Sequence, residues 1–444
     1  MRDWLAPIYR SNKFFPLVYG VIISVLIWDT SMARISQFTV ERQSSELNLV
    51  SFYFIVSVFV IGQYILIAFV RSKLRDVQSG ILHDLLRLSK ILALYQCVLV
   101  AVLVVIALQI SLSSGYERLL LQTVLWLAYI EAIVFIGILT FKFLQWLRIQ
   151  RSYIILLYFS GSIALIMMAL ITLFHANESI LNYPSHIRPH VQGYLAYIGS
   201  QDTLSIVSQM TLVASYASLW LATIVLLRSH SSRFGKARYR VIVTLPFIYF
   251  ILQYQPLFLE IFNAYRLSDP IGFGIVYTLF FSSSSIVGGI FFGIAFWSIA
   301  RQASSTHIKA LVILSAYGII LFFVSNQAIL LANAPYPPFA LAAISFVGLA
   351  AFLFLVGIYS SSISIASNAS FRRSLKGTII EQLKLLDTIG EAQYRRELEN
   401  RVLSMAKRNL NPVVNELGVN ASMTEEDVKD YIGQVIDELK KGQK

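Results

Sequence analysis

The residues that could do chemistry are a few polar side chains set inside long apolar stretches of the chain. Glu131 lies near the middle of one such stretch, residues 119–143, and no lysine or arginine lies at a comparable depth to pair with it. An ionisable side chain at bilayer depth is costly and usually faces a protein interior or a water-filled cavity. Glu131 is therefore a candidate proton or cation site. The alternative is a neutral carboxylic acid that is hydrogen-bonded to another helix.

A second group of polar residues accompanies two prolines. Pro246 and Pro256 each remove a backbone donor from the stretch 241–262 and tend to kink it. Broken helices are tolerated at membrane depth where protein or water satisfies the freed backbone groups. Glutamines and a glutamate lie near the second proline, so this segment joins the candidate site. The candidate ligand- or ion-binding residues are Glu131, Gln253, Gln255, Asn326, Gln327, Asp29 and Glu260.

Apart from Glu131, which lies near the middle of its stretch, these candidates fall in the outer half of the membrane when the chain is threaded as described below. This bias predicts a polar cavity that is open to the outside and covered by the loop 175–203. The competing interpretation is that they lie near the outer interface, where polarity costs little. That interpretation suits Glu260 well, and suits Glu131, Gln253 and Asn326 less well.

Three histidines in or beside the loop 175–203 are weak candidates for a transition-metal site. They are His175, His186 and His190, and imidazole is a good ligand for copper, zinc and nickel. Pro189 prevents a regular helical pairing of His186 with His190, so we expect no metal.

The sequence lacks the common motifs of soluble enzymes. It contains no Gly-rich phosphate loop ending in Lys-Ser/Thr, no His-Glu-x-x-His helix and no Gly-x-Ser-x-Gly elbow. No histidine follows His307, so the C-terminal segment offers no phospho-accepting histidine. We therefore expect neither an enzyme nor a bound cofactor.

Composition explains where such a chain can fold. Of its 444 residues, 57% are hydrophobic and only 14% are charged, whereas soluble domains carry about 25% charged residues. The net charge is +12, but no basic soluble face is visible that would indicate nucleic-acid binding. These proportions predict an all-α, polytopic integral membrane protein whose main partner is the lipid bilayer.

Ten apolar stretches are about long enough to cross a bilayer as helices. They are residues 14–33, 49–70, 91–110, 119–143, 153–174, 204–227, 241–262, 272–300, 310–332 and 339–362. With the N-terminus inside, 18 of the 23 basic residues before residue 371 fall in inner segments. The positive-inside rule then predicts a cell-membrane protein with both termini in the cytoplasm. Within the eighth stretch, Ser285, Gly289 and Gly293 form a small-residue face that favours close helix packing.

The N-terminus allows one alternative. Residues 1–13 are basic, residues 14–28 are apolar, and Ser31-Met32-Ala33 faintly resembles a cleavage site. Cleavage after Ala33 would leave nine spans, although Asp29 beside the bulky Trp28 argues against it.

Residues 1–362 thus form a predicted transmembrane domain, and residues 363–444 form a polar cytoplasmic tail of amphipathic helices. A break is predicted at Asn411-Pro412 and at residues 418–422, with a second helix from Thr424. An amphipathic helix in water must cover its apolar stripe. The candidate residues for docking a cytoplasmic protein partner are Leu383, Leu386, Leu398 and Val402.

Three functions fit these features. The first is a membrane sensor or signalling adaptor, in which an outer cavity binds a ligand and the tail docks a partner. The second is a secondary transporter, with Glu131 as the candidate site of proton coupling. The third is a structural subunit of a membrane complex, which the face of Ser285, Gly289 and Gly293 would suit.

Overall fold

The fold is an all-α helical bundle, seen in a computed structural model of the chain. The structure describes residues 15–39, 45–75, 82–113, 115–182, 186–187, 203–228, 235–252, 262–303, 305–333, 336–368, 372 and 384–417. The first helices are α1 (Phe15–Thr39), α2 (Ser45–Arg75), α3 (Leu82–Ser113), α4 (Arg118–Ile149), α5 (Tyr153–Leu181) and α6 (Thr203–Leu227). They are followed by α7 (Lys236–Leu252), α8 (Asn263–Ser268), α9 (Pro270–Gln302), α10 (Thr306–Ser325), α11 (Leu341–Ser345), α12 (Val347–Ser367) and α13 (Lys384–Leu417).

Two short strands and a 3-10 helix complete these elements. Strand β1 (Tyr116–Glu117) pairs antiparallel with β2 (His186–Ile187), so that Tyr116 faces Ile187. The 3-10 helix covers Ala328–Asn333. We call the end of the bundle that carries β1 and β2 the ribbon end, and the opposite end, where α13 packs, the tail end.

Nine helical segments within the described ranges are long and apolar enough to cross a membrane. They match nine of the ten predicted stretches, and the protein is a multi-pass helical membrane protein. The predicted seventh stretch, 241–262, is described only as far as Leu252, where α7 has 17 residues.

The described part of α7 packs along α6. Tyr216 donates to the Pro246 carbonyl at 3.0 Å, and Trp220 donates to the Val243 carbonyl at 2.8 Å. Tyr239, at the start of α7, donates to the Ile224 carbonyl at 3.0 Å. Residue numbers rise along α6 as they fall along α7, so the two helices are antiparallel. Ten passes therefore remain a prediction, of which nine correspond to described helices long enough to span a membrane.

The core of the bundle is α12. All its residues from Val347 to Ala366 are buried, because α10, α4 and α13 pack around it. Close approach is possible where glycines meet backbone: a Cβ at Gly318 or Gly357 would overlap the backbone of the facing helix. The predicted small-residue face of α9 packs in the same way, since a Cβ at Gly289 would lie 2.6 Å from the Phe323 Cβ.

Two predicted stretches are interrupted at the ribbon end. The stretch 310–332 becomes α10 followed by the 3-10 helix, and the stretch 339–362 becomes α11 and α12 with a break at Phe346. Between them lie a cis Tyr336-Pro337 bond and Ala340 in the left-handed region, with φ 71°. Backbone of this kind within a membrane protein needs partners from its own chain, and the side chains that supply them are described below.

The tail begins with one long helix. The break predicted at Asn411-Pro412 is not seen, because α13 continues through Pro412 to Leu417. A proline inside a helix removes one backbone hydrogen bond and can kink the helix without ending it. The predicted second helix from Thr424 lies outside the described residues.

Candidate functional site

Glu131 contacts another polar side chain from a neighbouring helix. Gln96 of α3 donates from Nε2 to Oε2 of Glu131 at 2.9 Å. Both side chains are buried, at 6% exposure for Glu131 and 1% for Gln96. The other oxygens of the pair, Glu131 Oε1 and Gln96 Oε1, have no hydrogen-bond partner among the described residues. A buried polar atom without a partner is uncommon in proteins and calls for an explanation.

Gly348 of α12 completes this site. A Cβ at residue 348 would overlap the Glu131 carboxylate, so glycine is what allows the central helix to approach α4 here. The result is a buried carboxyl group placed against the central helix, with two oxygens free to accept. Chemically, this arrangement could hold a proton on the carboxylate, or a dehydrated cation at the carboxylate.

In contrast, both carboxylate oxygens of Asp29 accept hydrogen bonds from within the protein. Its Oδ1 accepts from the backbone N–H of Ala340 at 2.8 Å, and its Oδ2 accepts from that of Ala343 at 2.9 Å. Asp29 belongs to α1, yet it caps the first turn of α11. The side chain is completely buried. A carboxylate at a helix N-terminus satisfies donors that have no partner inside the helix. This contact gives Asp29 a structural role.

Asn326 and Gln327 lie where α10 ends and are also paired. The Tyr129 hydroxyl donates to Oδ1 of Asn326 at 2.5 Å. Arg34 donates from Nη2 to Oε1 of Gln327 at 2.9 Å. These bonds tie the break after α10 to α4 and α1. The predicted outer grouping of Asp29, Asn326 and Gln327 is therefore a cluster of interhelical contacts at the ribbon end.

A further polar contact lies at this end of the bundle. Asn177 Oδ1 accepts from Gln122 Nε2 at 3.2 Å and from Trp126 Nε1 at 3.0 Å. These contacts join α4 to α5, because α5 continues past the predicted end of the fifth stretch to Leu181. Asn177 thus lies in a helix, where the sequence predicted the start of a loop.

The structure describes only two of the remaining predicted site residues. Gln253, Gln255, Glu260 and His190 lie outside the described residues. His175 is buried in α5, and His186 belongs to β2. Within the described ranges, no three His, Cys, Asp or Glu residues come close enough to hold a metal ion.

At the tail end, α13 docks on the transmembrane helices. Its buried apolar residues are Leu385, Leu386, Ile389 and Ala392. Trp146 of α4 donates from Nε1 to Oε1 of Gln393 at 3.1 Å, and Arg396 donates to Gln145. A Cβ at Gly390 would overlap the Ile365 side chain of α12. The tail helix therefore packs directly on the end of the central helix.

The predicted docking residues differ in how far they are buried. Leu386 is buried against its own chain, while Leu398 and Val402 are only half-buried. Leu383 lies outside the described residues. The part of the stripe beyond Gln393 thus keeps the accessibility that a partner would need.

Sequence reasoning missed most of the pairings. Gln96 was visible as an isolated polar residue in an apolar stretch, but nothing in the sequence links it to Glu131. Tyr129 and Arg34 carry no signal that distinguishes them from other interfacial tyrosines and arginines. No protein-family model matches the chain, and neither the curated proteins nor the solved structures searched include a similar protein.

Proposed function

We propose that this protein is a multi-pass membrane sensor or signalling adaptor, in which α12 connects a polar site inside the bundle to a cytoplasmic tail helix. The observation that carries the proposal is the position of α12. It is buried along its length, it contacts Glu131 through Gly348, and it contacts α13 through Ile365. The proposal is that α12 carries a displacement from one contact to the other, because packed interiors deform in discrete steps rather than continuously.

The orientation follows from the charges. Basic residues gather at the tail end, in the α2–α3 segment and around the α4–α5, α6–α7 and α9–α10 connections. The positive-inside rule places that end in the cytoplasm. The proposal therefore has both termini on the cytoplasmic side of a cell membrane, with the ribbon end facing outward. The half-buried Leu398 and Val402 are the residues to which a cytoplasmic partner would bind.

Thiol labelling of the tail tests this connection. The exposed Cys97 is first replaced by alanine, and a single cysteine is introduced at Leu398. We expect Glu131→Gln to change the labelling rate of this cysteine at least severalfold, because the altered contact with Gly348 shifts α12. A cysteine at the exposed Arg151 is the control, and its rate should stay constant.

Two outcomes would count against the connection. An unchanged rate at position 398, in a variant that remains folded, would separate the buried site from the tail. Equal changes at positions 398 and 151 would indicate general loosening of the tail end. A parallel cysteine beside Glu131 should be labelled from the outside only, since a sensor needs a site accessible from one side.

Proton-coupled transport is the second candidate, and a specific observation favours it. Glu131 Oε1 and Gln96 Oε1 are buried without partners among the described residues, and an ionisable side chain within a membrane span often marks a proton or ion pathway. Proteoliposomes with an imposed pH gradient test this directly. Transport requires proton movement that Glu131→Gln abolishes, together with labelling near residue 131 from both sides in turn.

The structural-subunit hypothesis loses one of its supports. The small residues of α9 that would have suited contact with another membrane protein are occupied within the chain. Gly289 packs on Phe323 and Gly293 packs on Ile320. Any subunit contact would have to use a different face.

A further inference from the structure

A groove opens at the tail end between α7 and α9. It has a volume of about 590 Å³, and Leu227, the last residue of α6, contributes to its lining. This volume is within the range of roughly 300–1,000 Å³ that is common for small-molecule sites. The groove is independent of the polar site around Glu131, which involves α3, α4 and α12.

The walls of the groove are apolar and open toward the lipid. Ile242 of α7 is 50% exposed, and Ile294 and Trp297 of α9 are 44% and 51% exposed. In a membrane, side chains of this kind contact acyl chains. The floor is more enclosed, because Val243 and Phe291 are buried. An acyl chain could therefore enter from the side and lie against a fixed apolar surface.

The rim of the groove is polar and basic. Arg301 and Gln302 lie at the end of α9, and the Arg301 guanidinium stands 5.4 Å from the centre of the Trp297 ring. A cation held over an aromatic face is attracted to it electrostatically. Arg301 is thus kept beside the apolar groove, at the level where a lipid headgroup would lie.

More positive charge lies close in sequence to the residues that line the groove. Arg228 directly follows Leu227, and Lys236, Arg238 and Arg240 flank Tyr239, which lines the groove. All four side chains are exposed. The described part of this end contains no ion pair that would neutralise them. Basic clefts between transmembrane helices at the cytoplasmic side are suited to anionic lipid headgroups.

We propose that the groove between α7 and α9 is a binding site for one membrane lipid with an anionic headgroup. One acyl chain lies along Ile242, Ile294 and Trp297. The phosphate lies at the rim, where Arg301 is its main contact. Charge complementarity selects this occupant over a neutral lipid, and the lateral opening selects a membrane lipid over a soluble phosphate.

Native mass spectrometry of the full chain tests the site. The protein is purified in micelles that contain phosphatidylglycerol and phosphatidylcholine with identical acyl chains in equal amounts. We expect one phosphatidylglycerol to remain bound in preference to phosphatidylcholine. Arg301→Gln should reduce its retention about fivefold, which corresponds to about 1 kcal/mol for a basic residue near the headgroups. Arg301→Lys should restore most of it.

Matched variants separate the groove from general surface charge. Arg151→Gln removes one exposed positive charge from another connection at the same end and should leave retention unchanged. Ile294→Trp fills the groove and should lower retention while Arg301 is intact. Ile290→Trp makes the same substitution at a lipid-facing position of α9 that does not line the groove, so it should have no effect.

Several results would overturn the proposal. Equal retention of the two lipids would remove the role of charge, and equal losses in Arg301→Gln and Arg151→Gln would show only surface attraction. Retention that survives Ile294→Trp would show that no acyl chain enters the groove. Displacement of the lipid by soluble glycerol phosphate would identify a phosphate site without lipid specificity.

Discussion

The carboxylate of Asp29 accepts a hydrogen bond from the backbone N–H of Ala340, with 2.8 Å between Oδ1 and the nitrogen. The two residues are 311 positions apart in the chain. The contact fixes the short helix α11 to α1 and so determines where the central helix begins. Ala340 has a left-handed backbone, with φ 71°, which costs energy for a residue other than glycine. The Asp29 cap helps to hold the chain in this conformation.

Asp29→Ala should therefore lower the stability of the bundle. It leaves the N–H groups of Ala340 and Ala343 buried without an acceptor, and each such loss costs about 1–3 kcal/mol. The free energy of unfolding in detergent is the measurement. Asp29→Asn retains an acceptor oxygen and should recover part of the loss.

Asp269 provides a matched control for this prediction. It caps α9 through the same type of contact, from Gly272 N to Oδ1 at 2.9 Å, but it is exposed. Water can replace the lost acceptor there, so Asp269→Ala should cost about 1 kcal/mol or less. Equal losses for the two variants would contradict the structural role of burial at Asp29.

Gly348→Ala tests the contact between the central helix and the polar site. The added methyl group overlaps the Glu131 carboxylate, and overpacking of this kind costs about 1–3 kcal/mol. The thermal unfolding midpoint should fall. Combining the change with Glu131→Ala makes room for the methyl group, so the double variant should lose less than the sum of the single variants.

Gly137→Ala is the corresponding control on α4. A Cβ at this position meets nothing within 4 Å, and alanine is a better helix former than glycine by about 1 kcal/mol. This variant should be neutral or slightly stabilising. A loss at Gly137 as large as that at Gly348 would attribute both effects to helix propensity or lipid contact, and would leave the Glu131 contact without support.

Tyr129→Phe tests the contact at the C-terminal end of α10. It removes the hydroxyl that donates to Asn326 Oδ1 and keeps the ring that packs in the core. A lost hydrogen bond in a buried setting should cost about 1 kcal/mol or somewhat more. Tyr153→Phe is a suitable control because Tyr153 is 85% exposed. A double variant with Asn326→Ala should show coupling of similar size, and additive losses would mean that the two side chains do not interact.

The sequence was sufficient for most of the helices, and for a clear physical reason. A span needs only length and apolarity, both of which can be read locally. The predicted packing face was also correct, since Gly289 and Gly293 meet α10. Burial could not be predicted in the same way. The stretch that becomes α12 is about as apolar as several others. Among the nine described spans it alone is enclosed over its whole spanning window, because enclosure depends on which helices surround it.

The pairings of the polar residues were beyond local reasoning for the same reason. Asp29, Glu131 and Asn326 were recognisable because polar groups are rare in apolar stretches. Their partners are backbone groups, an amide and a tyrosine on distant helices. Hydropathy contains no information on such contacts. One polar pattern thus gave residues with different roles: a cap at Asp29, an interhelical bond at Asn326, and an incompletely paired carboxyl group at Glu131.

Gln393→Leu tests whether α13 is held to the bundle by its polar contact as well as by its apolar stripe. Gln393 is buried and accepts from Trp146 Nε1 at 3.1 Å, while its own Nε2 donates to Glu397 at 3.0 Å. Leucine keeps the volume but leaves the indole N–H without this acceptor, which costs about 1–3 kcal/mol. Because this cost falls on the docked state of α13, amide exchange along the helix should become faster.

Glu399→Gln is the control for this prediction. It changes a side chain that is only half-buried, and it should leave exchange unchanged. Trp146→Phe should produce the same loosening, and the double variant should add little to it, since both single changes remove the same bond. Unchanged exchange in Gln393→Leu would mean that apolar packing at Leu386 and Ile389 holds the helix without this bond.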